Sequence, residues 1–373
     1  MQTHHVYLIP GFFGFVNFGR LVYFSHVAEY LDVSLHNFGI RSEIHRVRVS
    51  PSASLRTRAT ELAEFVADTA PPGAPIHLIG HSTGGLDARL FIAPGVDLGR
   101  QDVDDMARRV RTLVTVGTPH FGTPLASLFT SMLGQRVLQL GSLATVEILR
   151  TGRLPLRVVA RVGSALARMR LPGGKAEAVL DHLHEEMVGM LPEDDRDHLG
   201  EFFAGIGADQ ALLPQLTPEG IDLFNAGTAD RESALYGCVV SRAPGPSFKA
   251  QLRLKRRIYS HTTYQLFRFL HGRVGTMTEQ YIPELSDTQR DALRAAYGGI
   301  PTMADSDGIV PTRSQVRGAI VHAATADHLD LIGHFNDERH VPPHYDWICT
   351  AAGFNRRGFE ALWQDVARYI ARA

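Results

Sequence analysis

The chain has 373 residues, 44% of them hydrophobic and 21% charged, with a formal net charge of -1 and a pI of about 7.0. That composition suits one large buried core with an inserted subdomain, or two domains, and it excludes a disordered chain. It also excludes a global field that would recruit nucleic acid, and no apolar run approaches the roughly 18 residues that a membrane span needs.

The N-terminus, Met1-Gln2-Thr3-His4-His5-Val6, has neither the basic segment nor the apolar core of a secretory signal. The expected location is therefore cytoplasmic, unless the sequence is a processed mature form. A first apolar run, residues 5–9, reads as a strand and ends in Leu8-Ile9-Pro10-Gly11-Phe12-Phe13-Gly14-Phe15, a glycine loop followed by aromatics. Helical spacing follows over 23–35, then a strand over 44–49, then a helix over 55–67 with Ser52 and Ser54 as candidate caps. A strand over 76–79 runs straight into Gly80-His81-Ser82-Thr83-Gly84-Gly85 and a helix over 85–92, and the next strand covers 112–116.

From 123 to 234 the alternation breaks, and amphipathic helical patterns replace strands. Within this stretch Arg150, Arg153, Arg157, Arg161, Arg168 and Arg170 interleave with apolar residues as a basic amphipathic helix would. Such a helix suits a lid that touches a lipid interface transiently; the competing reading is a solvated face packed on the core. A strand over 235–240, a smaller excursion over 244–304, a strand over 319–322 and a terminal helix over 357–370 complete the chain. Strands alternating with helices predict a mostly parallel, doubly wound α/β sheet. Its expected organisation is an N-terminal core part, 1–122, a helical lid or cap, 123–234, and a C-terminal core part, 235–373. Cys238 and Cys349 are too few for a disulfide framework and read as small hydrophobes.

Gly-x-Ser-x-Gly between a strand and a helix forces a serine onto a sharp turn with its hydroxyl exposed, so Ser82 is the candidate nucleophile. A serine hydroxyl is a poor nucleophile at neutral pH and needs a histidine base held by a carboxylate. Asp307, in Ala304-Asp305-Ser306-Asp307-Gly308, and His328, in Ala326-Asp327-His328-Leu329-Asp330, flank the last strand. Parallel strands present their C-terminal ends together, so both fall at the edge where Ser82 stands. Asp305 and His334 are the nearest rivals, and the competing reading of Asp307-Gly308 is an ordinary turn. The oxyanion of an acyl intermediate needs two backbone donors; the expected ones are the amides of Thr83 and Phe12, with Gly11 letting the loop come close. Phe13, Phe15 and His81 are the expected substrate-pocket residues, an apolar wall suited to an acyl group.

These segments resemble the bacterial lipase and esterase branch of the α/β-hydrolase fold. The resemblance rests on Ile9-Pro10-Gly11-Phe12, Gly80-His81-Ser82-Thr83-Gly84-Gly85, Val116-Gly117-Thr118-Pro119-His120-Phe121-Gly122-Thr123-Pro124-Leu125, Leu216-Thr217-Pro218-Glu219-Gly220, Asp307-Gly308-Ile309-Val310 and His328-Leu329-Asp330. It implies hydrolysis of carboxylic esters with an apolar acyl group through an acyl-enzyme, a helical lid, an ester or lipid substrate and no required cofactor. Acyl transfer to an alcohol uses the same triad, and a non-catalytic binding protein on this fold is the alternative from another class. Some members hold a structural calcium through the aspartate of His-Leu-Asp and a glutamine four residues on; here Asp330 is present, but His334 replaces that glutamine. A hard cation prefers oxygen ligands, so this swap argues against the metal. Pro10 stands where the family carries its oxyanion-loop histidine, which leaves open how that loop is braced.

Overall fold

The computed structural model describes residues 2–12, 23–130, 211–253, 258–341 and 343–373. β1 (His4–Ile9), β2 (Ser42–Arg46), β3 (Ile76–His81), β4 (Val110–Val116), β5 (Leu235–Ser241) and β6 (Ala319–Ala324) form one sheet in the order β2-β1-β3-β4-β5-β6. Every neighbouring pair is parallel. All six runs read from the sequence are strands, and only the second is displaced. Val47 N still donates to Leu8 O at 2.9 Å, but the partner strand ends at Ile9 and Pro10 carries no N–H, so pairing stops. Val47 and Val49 are buried by packing instead, which is why they carried the apolar signal.

Alternation along the strands serves two helical layers. Val6 and Leu8 face α1 (Val27–Asn37) and the C-terminal helix (Arg356–Ile370), whose Phe359, Leu362, Trp363, Val366 and Ile370 fill that side. Tyr7 and Ile9 face the opposite layer, with Ala59, Leu62 and Val66 of α2 (Leu55–Thr69) and Phe91 of α3 (Gly84–Ile92). Ser54 caps α2 by accepting from Thr57 N at 3.1 Å, so one of the two expected caps acts as one. The chain builds β2 on one side of β1 and the remaining strands on the other. That reversal opens a crevice at the C-terminal ends of β1 and β3, where sheets of this kind bind ligands.

After α4 (Val103–Arg108) and β4, α5 (Pro124–Phe129) starts the long connection to β5, which returns through α6 (Leu212–Gln215) and α7 (Pro218–Gly227). Its two ends lie side by side: Thr123 N donates to Leu216 O at 3.0 Å, and a Cβ on Gly122 would stand 2.8 Å from Pro218. The six arginines of the expected amphipathic helix lie outside the described residues, as do Phe13 and Phe15. The smaller excursion is helical, with α8 (Phe248–Arg253), α9 (Ile258–Val274) and α10 (Asp287–Tyr297). Among the described residues, no helix is long and apolar enough to cross a membrane.

Candidate active site

β3 ends at His81 and α3 begins at Gly84, so two residues must reverse the chain. Ser82 does this with φ +54°, a left-handed conformation that costs a non-glycine residue roughly 1–2 kcal/mol. Its N–H donates to Val116 O at 2.8 Å, which ties the turn to β4. The flanking glycines are sterically required: a Cβ on Gly80 would lie 2.4 Å from Gly85 N, and one on Gly84 would lie 2.3 Å from Ile9 O. Gly11 backs onto the serine, since a Cβ there would stand 2.6 Å from Ser82 Cβ.

Asp307 and His328 stand on successive loops at the same edge, and His328 Nδ1 lies 2.8 Å from Asp307 Oδ2. The carboxylate is wholly buried and held by further donors. Ser241 Oγ and Gln315 Nε2 reach Oδ2 at 3.0 and 3.1 Å, and the amides of Ile309 and Val310 reach Oδ1 at 2.9 and 2.7 Å. A carboxylate so surrounded accepts from His328, which places the imidazole proton on Nδ1 and leaves Nε2 for proton transfer. Gly117, with φ +58°, lets the backbone after β4 lie under the imidazole; a Cβ there would be 3.3 Å from Nδ1. The rivals serve elsewhere. Asp305 accepts from Thr302 N and Oγ1 at 2.7 and 2.8 Å, and His334 Nε2 donates to Tyr23 O at 2.8 Å.

His81 is fully buried, and both of its ring nitrogens are hydrogen-bonded within the fold. Gly11 N–H donates to Tyr23 Oη at 2.9 Å, Tyr23 Oη donates to His81 Nδ1 at 2.7 Å, and His81 Nε2 donates to the His328 carbonyl at 3.0 Å. The glycine amide has no other role than donor, so it fixes the direction of the whole chain of bonds. Burial and the neighbouring His328 hold the His81 imidazole well below its usual range, hence neutral, as this relay requires. The relay links the Pro10-Gly11-Phe12 loop directly to the backbone of His328.

A second brace holds the Pro10-Gly11-Phe12 loop. Arg58 Nη2 donates to Pro10 O at 2.9 Å and to Asp87 Oδ2 at 2.7 Å, Nε reaches Asp87 as well, and both residues are fully buried. Burial lifts the Asp87 carboxyl to about 6 even beside the guanidinium. Arg58→Ala is expected to destabilise the fold by about 3–5 kcal/mol, because it leaves Asp87 as an unpaired buried charge. Urea unfolding checks this, and a loss under about 1 kcal/mol would show that the pair holds nothing. Phe12 is nearly buried among Leu55, Leu86, Leu212 and Leu216, and Thr83 is the N-cap of α3, so both amides lie on the turns that flank Ser82.

No protein-family model and no curated protein sequence matches the chain. Solved structures do. Lipase 1 from Pelosinus fermentans superposes with a TM-score of 0.52 at 16% identity, covering 100% of both chains. EstA from Clostridium botulinum gives 0.52 at 15% identity, covering 99% of this chain and 87% of that one. Staphylococcus hyicus lipase gives 0.51 at 15% identity over 99% and 95% of the two chains. The chain has the α/β-hydrolase fold.

The loop that carries His328 also carries acidic residues, which join a group that the sequence reading did not assemble. Asp327, Asp330 and Asp346 bring one carboxylate oxygen each within 4.8 Å of one another, the first two buried and Asp346 partly so. Burial pushes all three carboxyls up, Asp327 to about 7; repulsion adds to it, from Asp327 on Asp330 and Asp346 and from Asp307 on Asp327. A set of hard, crowded oxygen donors suits a calcium-like cation. His334 is no part of this group, whose oxygens come from Asp327, Asp330 and Asp346. Asp327 flanks His328 in sequence, whereas Asp346 is joined to it only by the fold. Tyr23, Arg58 and Asp87 were missed for the same reason, although Arg58 and Asp87 each interrupt an apolar helix face.

Proposed function

We propose that the chain is a serine ester hydrolase, a lipase or esterase acting on carboxylic esters with an apolar acyl group. The observation that carries this reading is the Asp307–His328 hydrogen bond at the sheet edge where Ser82 is held at positive φ. His328 Nε2 takes the proton from Ser82 Oγ as Oγ bonds to the ester carbonyl carbon, and the carbonyl π electrons move to oxygen. The amides of Phe12 and Thr83 stabilise that oxyanion. Collapse expels the alcohol, which takes the proton from His328, and leaves an acyl-Ser82. Water, deprotonated by the same nitrogen, then releases the carboxylic acid and restores Ser82. Asp307 holds the imidazole tautomer throughout and stabilises its cationic form. The esterase and lipase names of the superposing structures agree with an ester substrate. Turnover of a p-nitrophenyl ester together with labelling of Ser82 by a fluorophosphonate tests the assignment; a folded protein that does neither is not this enzyme.

We also propose calcium as a structural ion, held by Asp327, Asp330 and Asp346. Bound there, the ion neutralises three repelling carboxylates and fixes the loop that leads into His328. Calcium is expected to raise the melting temperature of chelator-treated protein, and Asp346→Asn to remove that rise. An identical melting curve with and without calcium would rule the site out.

A further inference from the structure

Three histidines, one before α1 and two in the loop after β6, converge in the fold. His26 lies immediately before α1, while His340 and His344 sit in the loop between β6 and the C-terminal helix. One ring nitrogen from each lies within 4.8 Å of the others, and His26 Nε2 is 3.0 Å from His340 Nδ1. Around a tetrahedral zinc with bonds of about 2.0–2.1 Å, ligand nitrogens stand roughly 3.3 Å apart. The first pair is at that spacing already.

His344 shows the arrangement that metal-bound imidazoles share. Its Nδ1 is hydrogen-bonded to the Gly333 carbonyl, so Nδ1 carries the proton and Nε2 presents a lone pair. The ring is almost fully buried and stacked on Phe335 with centroids 4.3 Å apart, so its direction is fixed. The backbone that brings His26 to it is fixed as well. Ser25 N–H donates to Ile332 O at 2.9 Å, and a Cβ on Gly333 would stand 2.3 Å from Ser25 O. His26 itself is held at φ +59°, outside the helix that follows it. Burial and neighbouring histidines hold the His344 ring down at about 4, and burial lowers His340 too. The nearby Asp337 carboxylate is engaged by Arg339 N at 3.1 Å.

We propose that His26, His340 and His344 bind one divalent transition-metal ion of the zinc class, with water as the fourth ligand. Three imidazoles without a carboxylate select zinc, cobalt or nickel over calcium and magnesium. The ion would clamp the start of α1 to the loop after His328. Three residues before His26 lies Tyr23, whose hydroxyl joins Gly11 to His81, so the clamp bears on the brace of the oxyanion loop. Zinc binding here is independent of whether Ser82 hydrolyses esters.

Chelator-treated full-length protein, titrated with zinc by calorimetry and with cobalt by visible spectroscopy, tests the site. The expected result is one zinc per chain, a tetrahedral cobalt spectrum and a rise in melting temperature with zinc. His340→Ala, at a partly exposed position that folding tolerates, should weaken binding by at least about 100-fold and abolish both the spectrum and the thermal shift. His26→Asn should do the same, while Asp346→Asn should leave zinc binding intact. Failure of the wild-type protein to bind zinc overturns the proposal. So does zinc binding that persists unchanged in His340→Ala and His26→Asn, or that is lost only in Asp346→Asn.

Discussion

Replacing Ser82 with alanine is expected to lower turnover of a p-nitrophenyl ester by about 10⁶, equivalent to about 8 kcal/mol of barrier, because members of a triad act as a unit. The loss should fall on kcat and leave KM nearly unchanged, since the apolar contacts that bind an acyl chain do not involve the hydroxyl. The fold should survive. Alanine meets the same backbone cost at φ +54° as serine does, and the hydrogen bond from residue 82 N to Val116 O is a backbone bond. A melting curve superposable on the wild type, combined with lost turnover and lost fluorophosphonate labelling, is the predicted pattern. Residual catalysis of roughly 10³–10⁴ over water would remain from the oxyanion donors and binding alone. If the alanine variant kept even a tenth of the wild-type kcat, Ser82 would not be the nucleophile.

The central strands β1, β3 and β4 were legible because they are buried on both faces and so read as nearly unbroken apolar runs, whereas the edge strands β2 and β6 are only partly buried. Ser82, Asp307 and His328 were legible for a different reason. The turn at Ser82 is written locally, in the glycines that a strand-to-helix reversal demands, and parallel topology then says which loops share its edge. What escaped was everything that acts across the fold. Arg58 meets Asp87 and Pro10 only after α2 and α3 pack on the sheet, and Tyr23, expected inside a helix, instead precedes α1 and turns its hydroxyl to Gly11 and His81. His81 was read as a pocket residue from its place beside Ser82; the fold joins its two ring nitrogens to Tyr23 and to the His328 carbonyl. Adjacency in sequence placed it near the chemistry and could not say which way the ring faced.

Asp307→Asn should lower kcat by about 10⁴, about 5 kcal/mol of barrier, with the fold intact. The donors around residue 307 decide why a change of one atom matters so much. The amides of Ile309 and Val310 both point at Oδ1, so an asparagine must keep its carbonyl oxygen there. Its NH₂ group then replaces Oδ2 and faces His328 Nδ1 and Ser241 Oγ. A donor opposite Nδ1 forces that nitrogen to accept, which moves the imidazole proton to Nε2 and leaves no base for Ser82. Gln315 cannot relieve this by turning its own amide, because its Nε2 also donates to Ser241 O and Val310 O while its Oε1 accepts from Ser241 N. The asparagine should therefore keep the shape of the site and lose its tautomer, a distinction that proton NMR of the His328 ring can read directly. A loss of less than tenfold, or an Nδ1 proton still present on His328, would mean that another group orients the base.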